Sequence, residues 1–339
     1  MVAETAVKSR SSLFARALWQ EERGRLALRQ EALTAPTEAE ALVKTLWSAV
    51  SRGTERLVFD GRVPASQYAV MRAPMQRGEF PFPVQYGYAA VGRVEAGPVD
   101  WLGATVFCLH PHQDRFVAPL DALRRTPAGL PARRATLAAN METALNALWD
   151  SGAGPGDRIV IIGAGVVGLL TAALAARLPG AEVCVVDPDG ARAGVAQRFG
   201  ADYRAPAACA AFAGTADCVF HASGAAEGLA LALDCAGLEA TIIEMSWYGD
   251  SAVPAPLGEA FHSRRLRLVS SQVGHVAPSR RPRWSAARRL DKALTLLCDA
   301  RFDELISEEV DFTDAPAAAP RLFGRGAPGL ATVLRYSDP

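Results

Sequence analysis

No charge of either sign prevails in this 339-residue sequence: 36 Lys and Arg balance 36 Asp and Glu, so the formal net charge is zero. That balance removes the broad electropositive footprint of a protein that coats DNA or RNA. Lysine is almost missing, with Lys8, Lys44 and Lys292 alone, and the bias toward arginine and alanine carries no chemistry by itself. The six cysteines are scattered. They form no C-x-x-C clip and no Cys/His cluster at structural-zinc spacing. Single cysteines among Val, Ala and Leu are expected as buried thiols in a reducing compartment. Residues 1–12 are polar, are expected to fray, and lack the apolar stretch of a secretory signal. The longest apolar run, 159–176, is broken by Gly163, Gly165 and Gly168, and so reads as strand, turn and helix rather than a membrane span. The expectation is a soluble, cytoplasmic protein that acts on a small molecule, with no nucleic-acid or membrane partner.

What is present is apolar material. Half of the residues are hydrophobic and 21% are charged. A chain of this length buries a sizeable core without disulfides or metal, and at roughly 150 residues per domain two domains are expected. Residues 13–118 fall into short β-like segments (15–20, 25–31, 40–50, 89–95, 104–109 and 115–118) punctuated by Gly, Pro, Asp and Thr. The stretch 62–83 carries Pro64, Pro74, Pro81 and Pro83 and is expected as an irregular, functional loop. From Pro131 the pattern changes. Leu137, Met141, Ala144, Leu145 and Leu148 share one face of a helix over 132–151. Continuous apolar strands at 158–162, 182–186, 218–222 and 241–245 then alternate with helices at 166–177, 191–199 and 226–235, and 267–271 closes the series. Uniformly apolar strands separated by helices predict a doubly wound parallel α/β sheet covered on both faces. A helix over 284–297 and a final strand at 331–336 return the chain to the β-rich part. The expected division is 1–145 and 285–339 for the β-rich domain and 146–284 for the parallel-sheet one.

The strongest motif is Gly163-Ala-Gly165-Val166-Val167-Gly168, which stands directly after an apolar strand and opens a helix. The first glycine permits the tight turn, the second lets a pyrophosphate approach the backbone, and the third lets helix and strand pack closely. The helix N-terminus, Val166 and Val167 included, then faces the phosphates. The next strand ends at Asp187, nineteen residues after Gly168, where a carboxylate accepts ribose hydroxyls and repels a 2′-phosphate. NAD is therefore expected over NADP. Arg192 is either a ribose or adenine contact or a solvated helix residue. A flavin or a methyl-donor nucleotide would use similar glycines.

The order of parts, and the texts Ser51-Arg-Gly-Thr54-Glu55, Gly87-Tyr88-Ala-Ala-Val-Gly, Gly103-Ala-Thr-Val-Phe, Gly156-Asp-Arg-Ile-Val-Ile-Ile-Gly163 and Phe199-Gly-Ala-Asp202, resemble the medium-chain dehydrogenase/reductases over more than nine-tenths of the chain. The run Ser51-Arg-Gly-Thr-Glu-Arg56 also resembles the bacteriochlorophyllide hydroxyethyl dehydrogenase branch. The resemblance implies a Rossmann domain with a β-rich GroES-like catalytic domain, hydride transfer between nicotinamide and an alcohol or carbonyl, and a homodimer or homotetramer. It also implies a departure. Ser51, Tyr88 and a residue near Ala139 stand where the zinc-dependent members carry metal ligands, and Ala89 stands where they carry a carboxylate. Hydroxyl and methyl groups are poor zinc ligands, so a zinc-free member is expected.

Without a Lewis acid, another group must donate to the oxygen on which charge develops. Position in the family puts Ser51, Arg52, Thr54, Glu55, Tyr88 and Thr143 around the nicotinamide. Tyr88 is the first candidate donor, or else an aromatic filling the vacated metal site. Glu55 could instead pair with Arg52 or Arg56. His110, His112 and Asp114 alternate along an extended segment and could converge, with His112 as an acid/base. The resemblance also implies Thr143, Ser223 and Gln272 as cofactor contacts, while Glu142 is either a buried acid or a polar helix residue. The basic residues 280–289 are either an anion patch or a solvated helix face. Two other functions stay open: a zinc-free quinone or enone C=C reductase, and a catalytically silent nucleotide-binding protein.

Overall fold

The computed structural model describes residues 13–324 and 326–337; the polar segment 1–12 lies outside them. The β-rich part runs through β1 (Leu13–Glu22), β2 (Arg25–Leu33), β3 (Glu40–Val50), α1 (Arg52–Phe59), β4 (Arg77–Gly78), β5 (Val84–Gln85), β6 (Ala90–Ala96), β7 (Thr105–Cys108), β8 (Arg115–Pro119) and β9 (Leu123–Arg125). Helices α2 (Ala132–Ala135) and α3 (Ala138–Ser151) follow. Then strands and helices alternate: β10 (Arg158–Ile162), α4 (Val166–Ala175), β11 (Glu182–Val186), α5 (Ala193–Arg198), β12 (Asp202–Arg204), β13 (Ala216–His221), α6 (Ala226–Cys235), β14 (Ala236–Glu244) and β15 (Arg267–Ser270). The chain ends with α7 (Ala286–Leu296), β16 (Ile306–Asp311), α8 (Ala315–Phe323) and β17 (Ala331–Arg335).

Strands β10 to β15 form one parallel sheet in the order β12-β11-β10-β13-β14-β15. The order reverses direction at β10, so a crevice opens beyond the carboxyl ends of β10 and β13. A seven-stranded sheet, β16-β17-β3-β6-β7-β9 with β8 pairing β3 off that path, joins the end of the chain to its beginning through antiparallel pairing of β17 with β3. β1, β2, β4 and β5 make a third sheet. The largest core cluster spans both parts, joining Val91, Phe107 and Val333 to α3, α4 and the Ile159, Ile161 and Phe220 side chains of the parallel sheet. Among the described residues no helix is long and apolar enough to cross a membrane.

Three elements differ from expectation. The helix expected over 132–151 is two helices, because the Thr136 hydroxyl donates back to the Arg133 carbonyl (2.6 Å) and Leu137 N–H bonds three residues back. Helix α1 carries Leu57, Val58 and Phe59 inward just after a strand, too short a run for a clear helical period. Helix α8 hides behind two prolines. Pro316 sits in the first turn, where no N–H is needed, and Pro320 removes one bond further on. Five cysteines are buried as expected; Cys298 is exposed.

The basic run 280–289 is neither a patch nor a solvated face throughout. Arg289 is 2% exposed. Its guanidinium donates to Glu142 (3.0 Å), to Asn146 (2.5 Å) and to the Val273 carbonyl. Glu142 is therefore a buried acid in an ion pair rather than a surface polar residue. Burial raises its carboxyl above the ordinary range, against the pull of Arg289. This joint pins α7 and the loop after β15 to α3.

Candidate active site

The crevice is built by the glycines after β10. Gly163 has φ +110°, and a Cβ there would lie 2.8 Å from Ser223 N. A Cβ at Gly168 would lie 1.9 Å from the Gly163 carbonyl oxygen, so α4 packs flush on the strand only with glycine. At Gly165, by contrast, a Cβ would meet nothing within 4 Å. That open space lies at the N-terminus of α4, where Val166 and Val167 begin the helix and the first N–H groups lack intrahelical acceptors.

Asp187 borders the same space. Its Oδ2 accepts from Ala164 N–H (2.7 Å) and its Oδ1 from Asp189 N–H (2.8 Å), which fixes the carboxylate and leaves a further lone pair on each oxygen. Arg192 is not a solvated helix residue. It donates to the Gly329 carbonyl (2.7 Å) and pairs with Asp189 (3.0 Å), tying the crevice to the loop before β17. Arg52 binds the Ala327 and Pro328 carbonyls in that loop, and burial, then the proximity of Arg192, lowers its pKa. Both guanidiniums therefore reach the loop before β17 from the side of the crevice.

A cluster of hydroxyls occupies the neighbouring β-rich part. β3 delivers Ser51 to the start of α1, and the turn into β6 delivers Tyr88. Tyr88 Oη donates to Ser51 Oγ (2.6 Å), and Thr54 also bears on the phenol. Ser51 N–H donates to Glu55 Oε1 (2.7 Å), one turn on. Glu55 Oε2 lies 2.9 Å from His112 Nε2, with both side chains almost fully buried. Glu55 thus pairs with His112 and not with Arg52 or Arg56. Burial first, then the charge of Glu55, pushes the Tyr88 phenol up to about 12, so it is neutral and a donor near pH 7. Ala139 belongs to the core cluster against which Tyr88 packs.

The His110-x-His112-x-Asp114 segment does not converge. His110 stacks on Phe116 at 3.9 Å and its Nδ1 faces the Pro111 carbonyl (2.8 Å). Asp114 pairs with Arg16 (2.9 Å). Only His112 enters the cluster, held against the backbone of Gly87, where a Cβ would lie 2.9 Å from its ring. The segment threads between β1 and β3, bonded to Leu18, Thr45 and Arg16, and this strips the alternation of a shared face. Among the described residues no group of three His, Cys, Asp or Glu side chains is arranged to hold a metal ion. Where a metal cage would need N, S or carboxylate donors, Ser51 and Tyr88 supply hydroxyls already bonded to each other.

Of the remaining expected contacts, Ser223 stands at the crevice beside Gly163. Thr143 donates to its own helix at Ala139 (3.0 Å), and the Gln272 amide oxygen accepts from Gly274 N–H (2.6 Å) on its own exposed turn. Sequence reasoning missed the fully buried His221 at the end of β13. It lies 2.7 Å from Ser223 Oγ and 2.8 Å from Glu244, with Tyr248 also bonded to Glu244 (3.1 Å). It missed Ser48 and Tyr336 too, each bonded to the His112 side of the cluster. Their signal was a hydroxyl inside an otherwise apolar strand run.

No protein-family model matches the chain. D-guloside 3-dehydrogenase of Escherichia coli (strain K12) is 27% identical over 210 residues, covering 57% of this chain and 59% of that protein. The chain thus spans about three-fifths of the length of the curated relatives it matches. The crystal structure of L-idonate 5-dehydrogenase from Escherichia coli K-12 superposes with a TM-score of 0.79 at 14% identity, over 96% of this chain and 99% of that one. An alcohol dehydrogenase from Escherichia coli CFT073, complexed with cofactor NADH, superposes with a TM-score of 0.75 at 16% identity, over 96% and 100%. At these identities the structural likeness establishes the fold.

Proposed function

We propose, on the premise that the chain belongs to the medium-chain dehydrogenase/reductase superfamily whose fold it carries, that it is an NAD(H)-dependent oxidoreductase interconverting an alcohol and a carbonyl without catalytic zinc. The substrate class is a polyol or sugar-like alcohol, the kind named for its relatives. The observation that carries the reading is the Tyr88–Ser51 pair: a neutral phenol hydrogen-bonded at 2.6 Å, on residues that the family resemblance sets where zinc-dependent members carry metal ligands.

The crevice fits the dinucleotide. The open space at Gly165 admits a pyrophosphate against the start of α4, and Asp187 meets the adenosine ribose. A fixed carboxylate there disfavours a 2′-phosphate, which supports NAD over NADP. When bound, the nicotinamide supplies or accepts the hydride. In reduction, the chain's own part is to donate to the oxygen that becomes an alkoxide. Tyr88 holds the proton at Oη, Ser51 and Thr54 orient it, and Glu55 below keeps the phenol protonated by its charge. Zinc does not fit these donors, and no step runs through it. The chain is further proposed to work as a homodimer or homotetramer in the cytoplasm.

Fluorescence titration with NADH and NADPH tests the cofactor. NADH should bind more tightly, and Asp187→Ser should narrow the gap; no binding of either ends the reading. Elemental analysis of the protein should find no stoichiometric zinc. A panel of polyols, ketoses and enones separates carbonyl reduction from C=C reduction. Turnover of enones alone would move the assignment to the latter, and saturable binding without turnover would leave a nucleotide-binding protein.

A further inference from the structure

The proposed chemistry leaves His221 unused, although its side chain is fully buried at the carboxyl end of β13, on the crevice side of the parallel sheet. Glu244 stands beside it at the end of β14. A carboxylate only accepts, and Glu244 accepts from three groups: His221 Nδ1 (2.8 Å), Tyr248 Oη (3.1 Å) and the Ser246 N–H (2.7 Å). Burial alone would raise the Glu244 carboxyl, but the bonds from His221 and Ser246 outweigh it and hold the group below the ordinary range. On its other edge the His221 ring meets Ser223 Oγ (2.7 Å), which also accepts from Ala225 N–H (3.2 Å). Serine, histidine and glutamate in this order would suit an acyl-transfer nucleophile. A Cβ at Gly228 would lie 2.2 Å from Ser223 Oγ, however, so α6 covers the hydroxyl. The set holds backbone instead, and what it holds is the segment 245–251. From this root the chain crosses to the β-rich part. Trp247 packs against the cluster of Val58, Val63, Phe80, Val84 and Tyr86, against which Tyr88 packs too, with the Tyr86 ring edge-on to Tyr88 at 6.0 Å. Gly249 has φ +65°, and a Cβ there would lie 2.6 Å from the Arg62 carbonyl oxygen and 3.0 Å from Leu57 of α1. Arg62 Nε donates to Asp250 (2.9 Å) and its Nη2 to Ser251. One short segment is thus bonded at its start beside the crevice and wedged at its end against α1, the helix whose first turn carries Thr54 and Glu55.

We propose that segment 245–251 is a positioning strap, rooted on His221 and Glu244 and pressed on α1, that sets the Tyr88–Ser51 pair against the nucleotide crevice. The proposal rests on the reading of Tyr88 as proton donor. Its physical ground is the cost of polar groups away from water. A fully buried imidazole is tolerated when each of its bonds is met, and bonds so met admit one geometry. The geometry fixed here is that of a joint between the two parts of the chain. Ser223 lies on the rim of the crevice beside Gly163, and Trp247 lies on the aromatic cluster of the donor. In the proposed reaction hydride and proton reach the substrate from different parts of the chain, so the relative placement of those parts decides the rate. A misplacement of about 1 Å costs on the order of 10²-fold. His221, Glu244, Trp247 and Tyr248 are therefore positioning residues, acting through Tyr88.

The test uses the full chain labelled with 3-fluorotyrosine, whose six tyrosines give six ¹⁹F NMR signals. The Tyr88 signal is the one lost in Tyr88→Phe. Tyr248→Phe removes one oxygen from the root of the strap and keeps its ring, while Gly249→Ala lifts the far end from Arg62. In each variant, read without cofactor, the Tyr88 signal should move by more than its line width. In each, NADH affinity by fluorescence titration should stay within about twofold of wild type, while single-turnover oxidation of saturating bound NADH should slow at least about tenfold. A Tyr88 signal unmoved in either variant that folds overturns the strap. So does a wild-type rate with the signal moved, or a loss of NADH affinity in place of the rate. A lowered melting temperature with signal and rate unchanged marks a stabilising contact only and overturns it as well. Absence of NADH binding to the wild-type protein ends the dehydrogenase reading and the proposal with it. The Tyr88 signal, read before cofactor is added, keeps that failure apart from failure of the strap itself.

Discussion

Replacing Tyr88 by Phe removes one oxygen atom and nothing else from the cluster. The ring still packs on the core, and the glycine turn, Asp187 and Arg192 are untouched, so NADH affinity should stay within about twofold of wild type. Stability should fall by about 1 kcal/mol, the net worth of one hydrogen bond, since Ser51 Oγ loses its donor. The rate should fall far more. A positioned general acid contributes roughly 10²–10⁴-fold, or about 2.7–5.4 kcal/mol of barrier. The burial that raises the phenol to about 12 keeps it protonated, so the wild-type reduction rate should be level from about pH 7 to about pH 10 as far as this group is concerned. The assay is single-turnover oxidation of bound NADH by the best ketose of the panel, followed by nicotinamide absorbance. Ser51→Ala, which keeps the phenol but releases it, should fall between wild type and Tyr88→Phe. A Tyr88→Phe rate within about threefold of wild type at equal NADH affinity would falsify the assignment of Tyr88 as the donor.

Gly168→Ala places a methyl against the Gly163 carbonyl at 1.9 Å, so α4 must lift from β10; cofactor affinity should drop by at least about tenfold and the melting temperature should fall, both read in one thermal-shift titration. Arg289→Met leaves Glu142 buried without its cation and should cost about 3–5 kcal/mol in denaturant unfolding, while adding Glu142→Leu should recover much of that loss; a double variant as unstable as the single one contradicts this. His110 is held down to about 4 by burial, well below its ordinary value of 6.5. The unfolded chain therefore binds the proton first, so stability is complete above about pH 6.5 and is lost as pH falls toward 4, by about 3 kcal/mol in all. His110→Phe should flatten that part of the pH–stability curve, and an unchanged slope rules His110 out as its source.

Much of the architecture could be read before any coordinates, because its signals are local. Strands 158–162 and 182–186 are apolar on both faces, and Gly163 and Gly168 between strand and helix obey a steric demand that no other residue meets. The parallel sheet follows from them. The elements missed were those whose local signals conflict. The prolines of α8 read as breakers, and α1 is only eight residues long with its apolar residues crowded at one end.

The candidate site divides in the same way. Gly163, Gly165, Gly168 and Asp187 lie within 25 residues along one strand–helix–strand unit, and local geometry brings them together. His110, His112 and Asp114 show where alternation misleads, since it assumes one flat strand. Contacts with β1 and β3 turn each of the three side chains to a different neighbour. Arg289 reads as one more basic residue in a run, and only the arrival of Glu142 and Asn146 from α3 makes it a buried joint.

The sequence by itself determined the doubly wound sheet and the glycine turn between β10 and α4, because each depends on residues near in the chain. Tertiary structure alone decided that Ser48, Ser51, Glu55, Tyr88, His112 and Tyr336 meet in one hydrogen-bonded row. They come from β3, α1, the turn before β6, the loop before β8 and the segment after β17, up to 288 residues apart. Only closure of the β17–β3 pairing brings the last of them to the first, and a bond across that distance leaves no trace in the local pattern of either strand.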